Sequence, residues 1–174
     1  MRLSLAFCVL IVGACSALPG AFTRTPVPRD LAPAANQKLE LVVVGTGVQI
    51  YRCDPKSDSA GQFEWAFQAP EATLRDTSGK YLGRHYAGPT WEAMDGSKVV
   101  GTVEVRHDAP NRAIPWLRLA ARSTGTAGLF SGVTTIVRIA TEGGIPPPNS
   151  CNEAERGKIL RVPYTADYNL YVAG

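Results

Sequence analysis

The stretch His85-Tyr-Ala-Gly-Pro-Thr-Trp-Glu-Ala-Met-Asp-Gly-Ser97 gathers a histidine, two aromatic rings and two carboxylates into one short run. Residues of these types support metal binding, acid–base hydrolysis or ligand recognition. For a metal, His85 would join the chain's second histidine, His107, with Glu92, Asp95 and Asp108 completing a mixed nitrogen and oxygen set. A hairpin turning at Asp95-Gly96 would carry His85 across from Arg106 and His107 and so bring the two histidines together. For hydrolysis, Glu92 and Asp95 supply a carboxylate pair, but the chemistry depends on a separation that loop spacing does not fix. For binding, Tyr86 and Trp91 offer apolar area at small entropic cost beside polar groups that orient a ligand.

Each role has a structural counterpart. His85 can be hydrogen-bonded to backbone or to a tyrosine while His107 is solvated. Asp95-Gly96-Ser97 is also a turn sequence in which the carboxylate accepts from the next amides. Trp91 stands between core and surface roles, and Trp116, followed by Leu117 and Leu119, reads as core.

Other chemistries fail on spacing. Leu41-Val-Val-Val-Gly-Thr-Gly47 looks like a strand entering a dinucleotide loop, yet Ile50 holds the third glycine position and Tyr51-Arg52-Cys53 continues as strand. Without a helix N-terminus there are no free amides for a pyrophosphate, so the dehydrogenase reading is rejected. Gly128-Leu-Phe-Ser-Gly132 lacks the spacing of a nucleophile elbow, and Ser131 has no identifiable base. The net charge is only +3 and its cations are scattered, which leaves no footprint for nucleic acid. No cofactor is called for.

The elements that must position these residues are strands. Gln62 to Gln68 alternates, with Phe63, Trp65 and Phe67 on one face, and Lys98 to Arg106 does so with Val99, Val103 and Val105. Val133 to Thr141 is β-branched and reads as a buried strand with Arg138 pointing to one side. Leu39 to Cys53 is expected to hold two strands around a kink or turn at Gly45-Thr46-Gly47, and Asn169 to Val172 a short closing strand after Pro163. Glu71 to Asp76 and Asn152 to Gly157 offer a helical turn at most. Turn signals such as Asp54-Pro55, Ser78-Gly79 and Asp95-Gly96 separate the strands. The fold class is all-β, an antiparallel β-sandwich or β-barrel with long loops and little helix.

The N-terminus carries Arg2, an apolar run from Leu3 to Val12 and then small residues, which reads as a signal peptide over residues 1–17. Val12-Gly13-Ala14-Cys15 has the order of a bacterial lipoprotein signal, making Cys15 a lipidation candidate; cleavage near Ala17 is the alternative. Residues 18–37, with Pro19, Pro26, Pro28 and Pro33, read as a flexible linker, and 38–174 as one domain. Outside the leader only Cys53 and Cys151 remain, and in an oxidising compartment they are expected to be joined. Metal binding by this pair is the alternative, with no neighbouring ligand to complete it.

Together these residues resemble a family of bacterial and fungal proteins, the domain of unknown function family number 3455. The matching stretches are Gly47 to Cys53, Trp65, Pro70 to Leu74, Gly83 to Ser97, Ile114 to Leu117, Thr135 to Gly144, Cys151 and Val162 to Tyr171. The resemblance implies an exported protein with Cys53 paired to Cys151 and brings no activity with it. Some fungal relatives bear a malate dehydrogenase label, to which this sequence lends no physical support. Leu170 stands where the family tends to carry an aromatic residue.

The reading is an exported binding protein of the periplasm, cell surface or exterior. Its site is built on His85, Tyr86, Trp91, Glu92 and Asp95 in a loop open to solvent, where rigid scaffolds mount function. Its partner would be a small molecule, a glycan or an envelope component, with the membrane reached only through a lipid anchor. Replacing Trp91 and His85 by Ala is then expected to abolish ligand retention and leave the melting temperature nearly unchanged. A metal-assisted or acid–base hydrolase at the same segment, and a purely structural envelope protein, are the alternatives.

Overall fold

The structure, a computed structural model, describes residues 24–174; the expected signal peptide, Cys15 and the first part of the linker lie outside them. Eight strands follow one another: β1 (Gln37–Pro55), β2 (Phe63–Arg75), β3 (Tyr81–Tyr86), β4 (Thr90–Ala93), β5 (Lys98–His107), β6 (Trp116–Ser123), β7 (Val133–Gly143) and β8 (Ile159–Ala173). Each pairs antiparallel with the next, and β8 pairs with β1, so the sheet closes into a barrel. Of the two all-β architectures left open by the sequence, the barrel is the one that forms. Closure leaves no free strand edge to manage.

Closure depends on two strands longer than their sequences suggest. β1 runs unbroken for 19 residues through Gly45 and Gly47, where a kink or turn is expected. The glycines are there for close approach: a Cβ on Gly45 would lie 2.6 Å from the Tyr168 ring, and one on Gly47 would collide with the Glu71 carbonyl. β8 likewise spans 15 residues and passes through Pro163 rather than starting after it. The Glu71 to Arg75 run is the end of β2 and not a helical turn.

One end of the barrel is packed solid. Val43, Leu74, Trp91, Val99, Ile136, Tyr168 and Leu170 fill it, and Phe130, from the segment between β6 and β7, is fully buried against them. Its amide donates to Ser97 Oγ at 3.0 Å.

The outer wall has a second cluster. Leu31, in a 3-10 turn at Arg29–Leu31, is fully buried against Trp116, Val137, Ile139 and Tyr171. Arg118 Nη1 donates to the Ala32 carbonyl at 2.8 Å, and His107 Nδ1 meets Asp30 Oδ2 at 2.8 Å. Residues 27–32 are therefore a strap packed on the barrel, and the flexible linker expected over 18–37 does not hold for this part. Burying Leu31 contributes about 1.5–3 kcal/mol toward holding the strap. Trp116 is buried as expected, beneath the strap rather than inside the barrel.

Elsewhere the wall carries charge, as in the Arg161–Glu71 pair at 2.6 Å, which suits a surface facing water. Cys53 near the end of β1 is bonded to Cys151 between β7 and β8, with Cα atoms 5.5 Å apart. Bridges of this kind form and persist in oxidising compartments.

Candidate functional site

The stretch from His85 to Ser97 is strand, turn, strand and turn rather than an open loop. β3 and β4 pair with His85 opposite Trp91, Tyr86 opposite Thr90 and Arg84 opposite Glu92. Gly88, at φ 129°, makes the first turn, and Thr90 Oγ1 donates to the Ala87 carbonyl at 2.9 Å to hold it. The second turn is at Asp95-Gly96. A single hairpin placing His85 against His107 is therefore not formed, because β4 lies between β3 and β5.

Strand alternation then sorts the singled-out residues to different places. His85 and Trp91 point into the barrel and are 2 % and 1 % exposed. Their rings stack at 4.2 Å, and Tyr168 meets them edge-on at 5.3 and 5.4 Å. His85 Nδ1 lies 2.8 Å from the Thr90 carbonyl, which only accepts, so Nδ1 carries the hydrogen and donates. Burial pulls the imidazole down to about 3, with the Thr90 bond opposing and the charge of Arg138 adding. It is neutral at ordinary pH.

Tyr86 and Glu92 face outward. Tyr86 Oη donates to Glu92 Oε2 at 2.6 Å, and Arg84 donates to the same oxygen at 3.1 Å. The Tyr86 bond first and then Arg84 hold the Glu92 carboxyl below its usual range. The same bond raises the Tyr86 phenol. Glu92 is thus an ionised surface group, unsuited to donating a proton.

Asp95 lies at the packed end of the barrel. Its carboxylate accepts from Ser97 N at 2.9 Å, Ser97 Oγ at 2.6 Å and Leu129 N at 2.8 Å, tying the turn to the segment that carries Phe130. These bonds, that of the Ser97 hydroxyl foremost, lower its pKa. His107 is on the outer wall beside Trp116 and bonded to Asp30. Among the described residues no group of three or more His, Cys, Asp or Glu side chains is gathered for a metal.

A concave feature enclosed by the strands lies at the other end of the barrel. A cup of about 580 Å³ opens there, floored by His85, Trp91 and Leu119 and rimmed by Gly88, Pro89 and Val103. Its walls include Gln49, Tyr51, Phe67, Arg106, Leu117 and Arg138. No Asp, Glu, Ser, Thr, Cys or Lys lines it. With apolar and aromatic groups set around two arginines, a glutamine amide and a neutral, packed imidazole, such a wall can bind and orient a molecule.

Of the residues singled out in the sequence, His85 and Trp91 reach this cup, and Tyr86, Glu92 and Asp95 do not. The sequence reading missed Gln49, Tyr51 and Arg106 as wall residues. Arg138 stands out in the sequence as an arginine in a β-branched strand, which is the available signal. It could not be assigned a side, because Val137 and Ile139 on the opposite face of β7 are also buried, under the strap.

Over residues 33–172 the chain matches the model of a family described as a protein of unknown function, DUF3455. No curated protein and no solved structure matches it. The match begins directly after the strap and runs through every strand to Val172 near the end of β8, and the chain belongs to the DUF3455 family.

Proposed function

We propose that this protein is an exported binding module that takes a small, largely apolar molecule into the open end of its barrel. The observation that carries the reading is the cup of about 580 Å³ with apolar and aromatic walls above a sealed floor. Its size is that of small-molecule sites, which run to roughly 300–1,000 Å³. Barrels of eight strands have room for one small ligand and little more. The leader-like N-terminus and the Cys53–Cys151 bridge support a location in the periplasm, envelope or exterior, with Cys15 as the point of a lipid tether.

The test uses the mature chain, unfolded and refolded to strip any carried-over molecule, and titrated with the neutral fluorescent probe 1-aminoanthracene. Saturable binding at micromolar concentration is expected. Leu117→Trp, which fills the cup, and Val103→Trp, which narrows its rim, should abolish binding while the circular dichroism spectrum is kept. A folded wild-type chain that takes up no probe would overturn the proposal.

A further inference from the structure

Two arginines contribute to the cup, and no carboxylate does. Arg138 on β7 has Leu117 and Tyr168 as its cross-strand neighbours. It donates through Nε and Nη2 to the Pro115 carbonyl at 3.1 and 2.7 Å. Arg106 on β5 stands opposite Leu117 and is exposed nearer the mouth. Among the described residues neither forms an ion pair, whereas Arg52, Arg84, Arg118, Arg156 and Arg161 all do.

The contrast matters because a guanidinium cannot shed its proton at any relevant pH. A positive charge drawn into a wall of aromatic and aliphatic groups loses hydration, and a lone carbonyl and neighbouring phenols return only part of it. Desolvation is the largest influence on Arg138 and lowers its pKa, as expected for a cation short of a counter-charge. Arg138 has five N–H donors, so the Pro115 carbonyl leaves it donors for a further acceptor.

Gln49 adds an independent observation. It is 2 % exposed and lines the same cup, and its Nε2 has no hydrogen-bond partner. A buried amide left in this way costs about 1–3 kcal/mol unless something accepts from it. An unpaired guanidinium and an unpartnered amide in one wall share the need for an acceptor, and the guanidinium favours one that carries negative charge.

We infer that the cup is selective for a monoanion, a carboxylate carried on a compact apolar body, with the carboxylate against Arg138 and Gln49 and the body against Tyr51, Phe67 and Leu117. The inference rests on the reading of the open end as a binding cup and adds the charge of what enters it. The carboxylate supplies the counter-charge the wall lacks, and charge-assisted bonds to arginine are stronger than neutral ones. Arg106 at the mouth adds a long-range attraction that salt weakens.

The test compares 2-naphthoate, 2-naphthylmethanol and 2-naphthylmethylamine, which share one apolar body, by calorimetric titration at pH 7 and low salt. The acid is expected to bind about tenfold or more tightly than the alcohol, and the amine weakest, with added salt narrowing the gap. Arg138→Met should bring the acid to the level of the alcohol while alcohol binding stays within about threefold, which also reports that the cup is intact. Gln49→Glu should do the same by placing a carboxylate in the wall, and it serves where Arg138→Met does not fold. An acid that binds no better than the alcohol, or an advantage that survives both variants, overturns the inference and leaves the cup standing. If none of the three compounds binds, the cup itself is refuted and the inference with it.

Discussion

The His85 imidazole and the Trp91 indole lie stacked at 4.2 Å with their planes 20° apart, one on β3 and one on β4, and both are closed off from solvent. They form the floor of the cup and the top of the packed core at once. The expectation that alanine at these positions spares stability is therefore reversed. Trp91→Ala should cost about 3–5 kcal/mol, seen as a lower urea midpoint with an unchanged slope. A wild-type midpoint for Trp91→Ala would contradict this packing.

His85 also sets a pH dependence. Its folded pKa of about 3 is below the unfolded value of 6.5, so between these pH values the unfolded chain binds the extra proton. The contribution is fully present above 6.5 and is lost as pH falls toward 3, at up to about 1.4 kcal/mol per pH unit. His85→Phe should flatten this segment of a stability profile measured by urea titration from pH 7 to 4. An equal slope in wild type and variant would show that the imidazole is not buried neutral.

Asp95 fastens the packed end through Ser97 and Leu129. Asp95→Ala should leave probe binding at the distant cup intact while speeding hydrogen exchange at the Leu129 and Phe130 amides by roughly tenfold or more. Loss of binding without faster exchange would instead make Asp95 a ligand contact.

The bridge between Cys53 and Cys151 closes a separation of 98 residues. Replacing both cysteines by alanine should lower stability by roughly 4.7 kcal/mol in the chain-entropy picture, and reduction of the wild type should give a similar drop. A variant as stable as the oxidised parent would mean that the strand pairing alone holds these segments.

Much of the fold was legible in local pattern. Alternation in Gln62 to Gln68 and Lys98 to Arg106 marked β2 and β5 as strands. The register shift between Val103 and Val105 nevertheless sends Val105 outward against the strap, so it does not share the inner face of Val99 and Val103 as the alternation implies. The Cys53–Cys151 pair followed from having no other partner after the leader. The site was less legible. The run from His85 to Ser97 drew attention by composition, but composition is blind to the turn at Gly88, and that turn sends Tyr86 and Glu92 outward and His85 and Trp91 inward. The glycines of β1 suggested a break and instead make room for Tyr168 and β2.

The amino-acid sequence by itself determined that the chain is built of strands, that one disulfide ties it, and that no dinucleotide loop or nucleophile elbow is present, because these depend on neighbours in the chain. Only the tertiary structure decided which face of each strand is enclosed. A period of two distinguishes two faces without naming the inner one, and where the strap buries Val137 and Ile139 on the outer wall even hydrophobicity stops distinguishing them. Arg138 enters the cup only because β8 returns to pair with β1 and closes the wall, a relation between residues far apart in the chain.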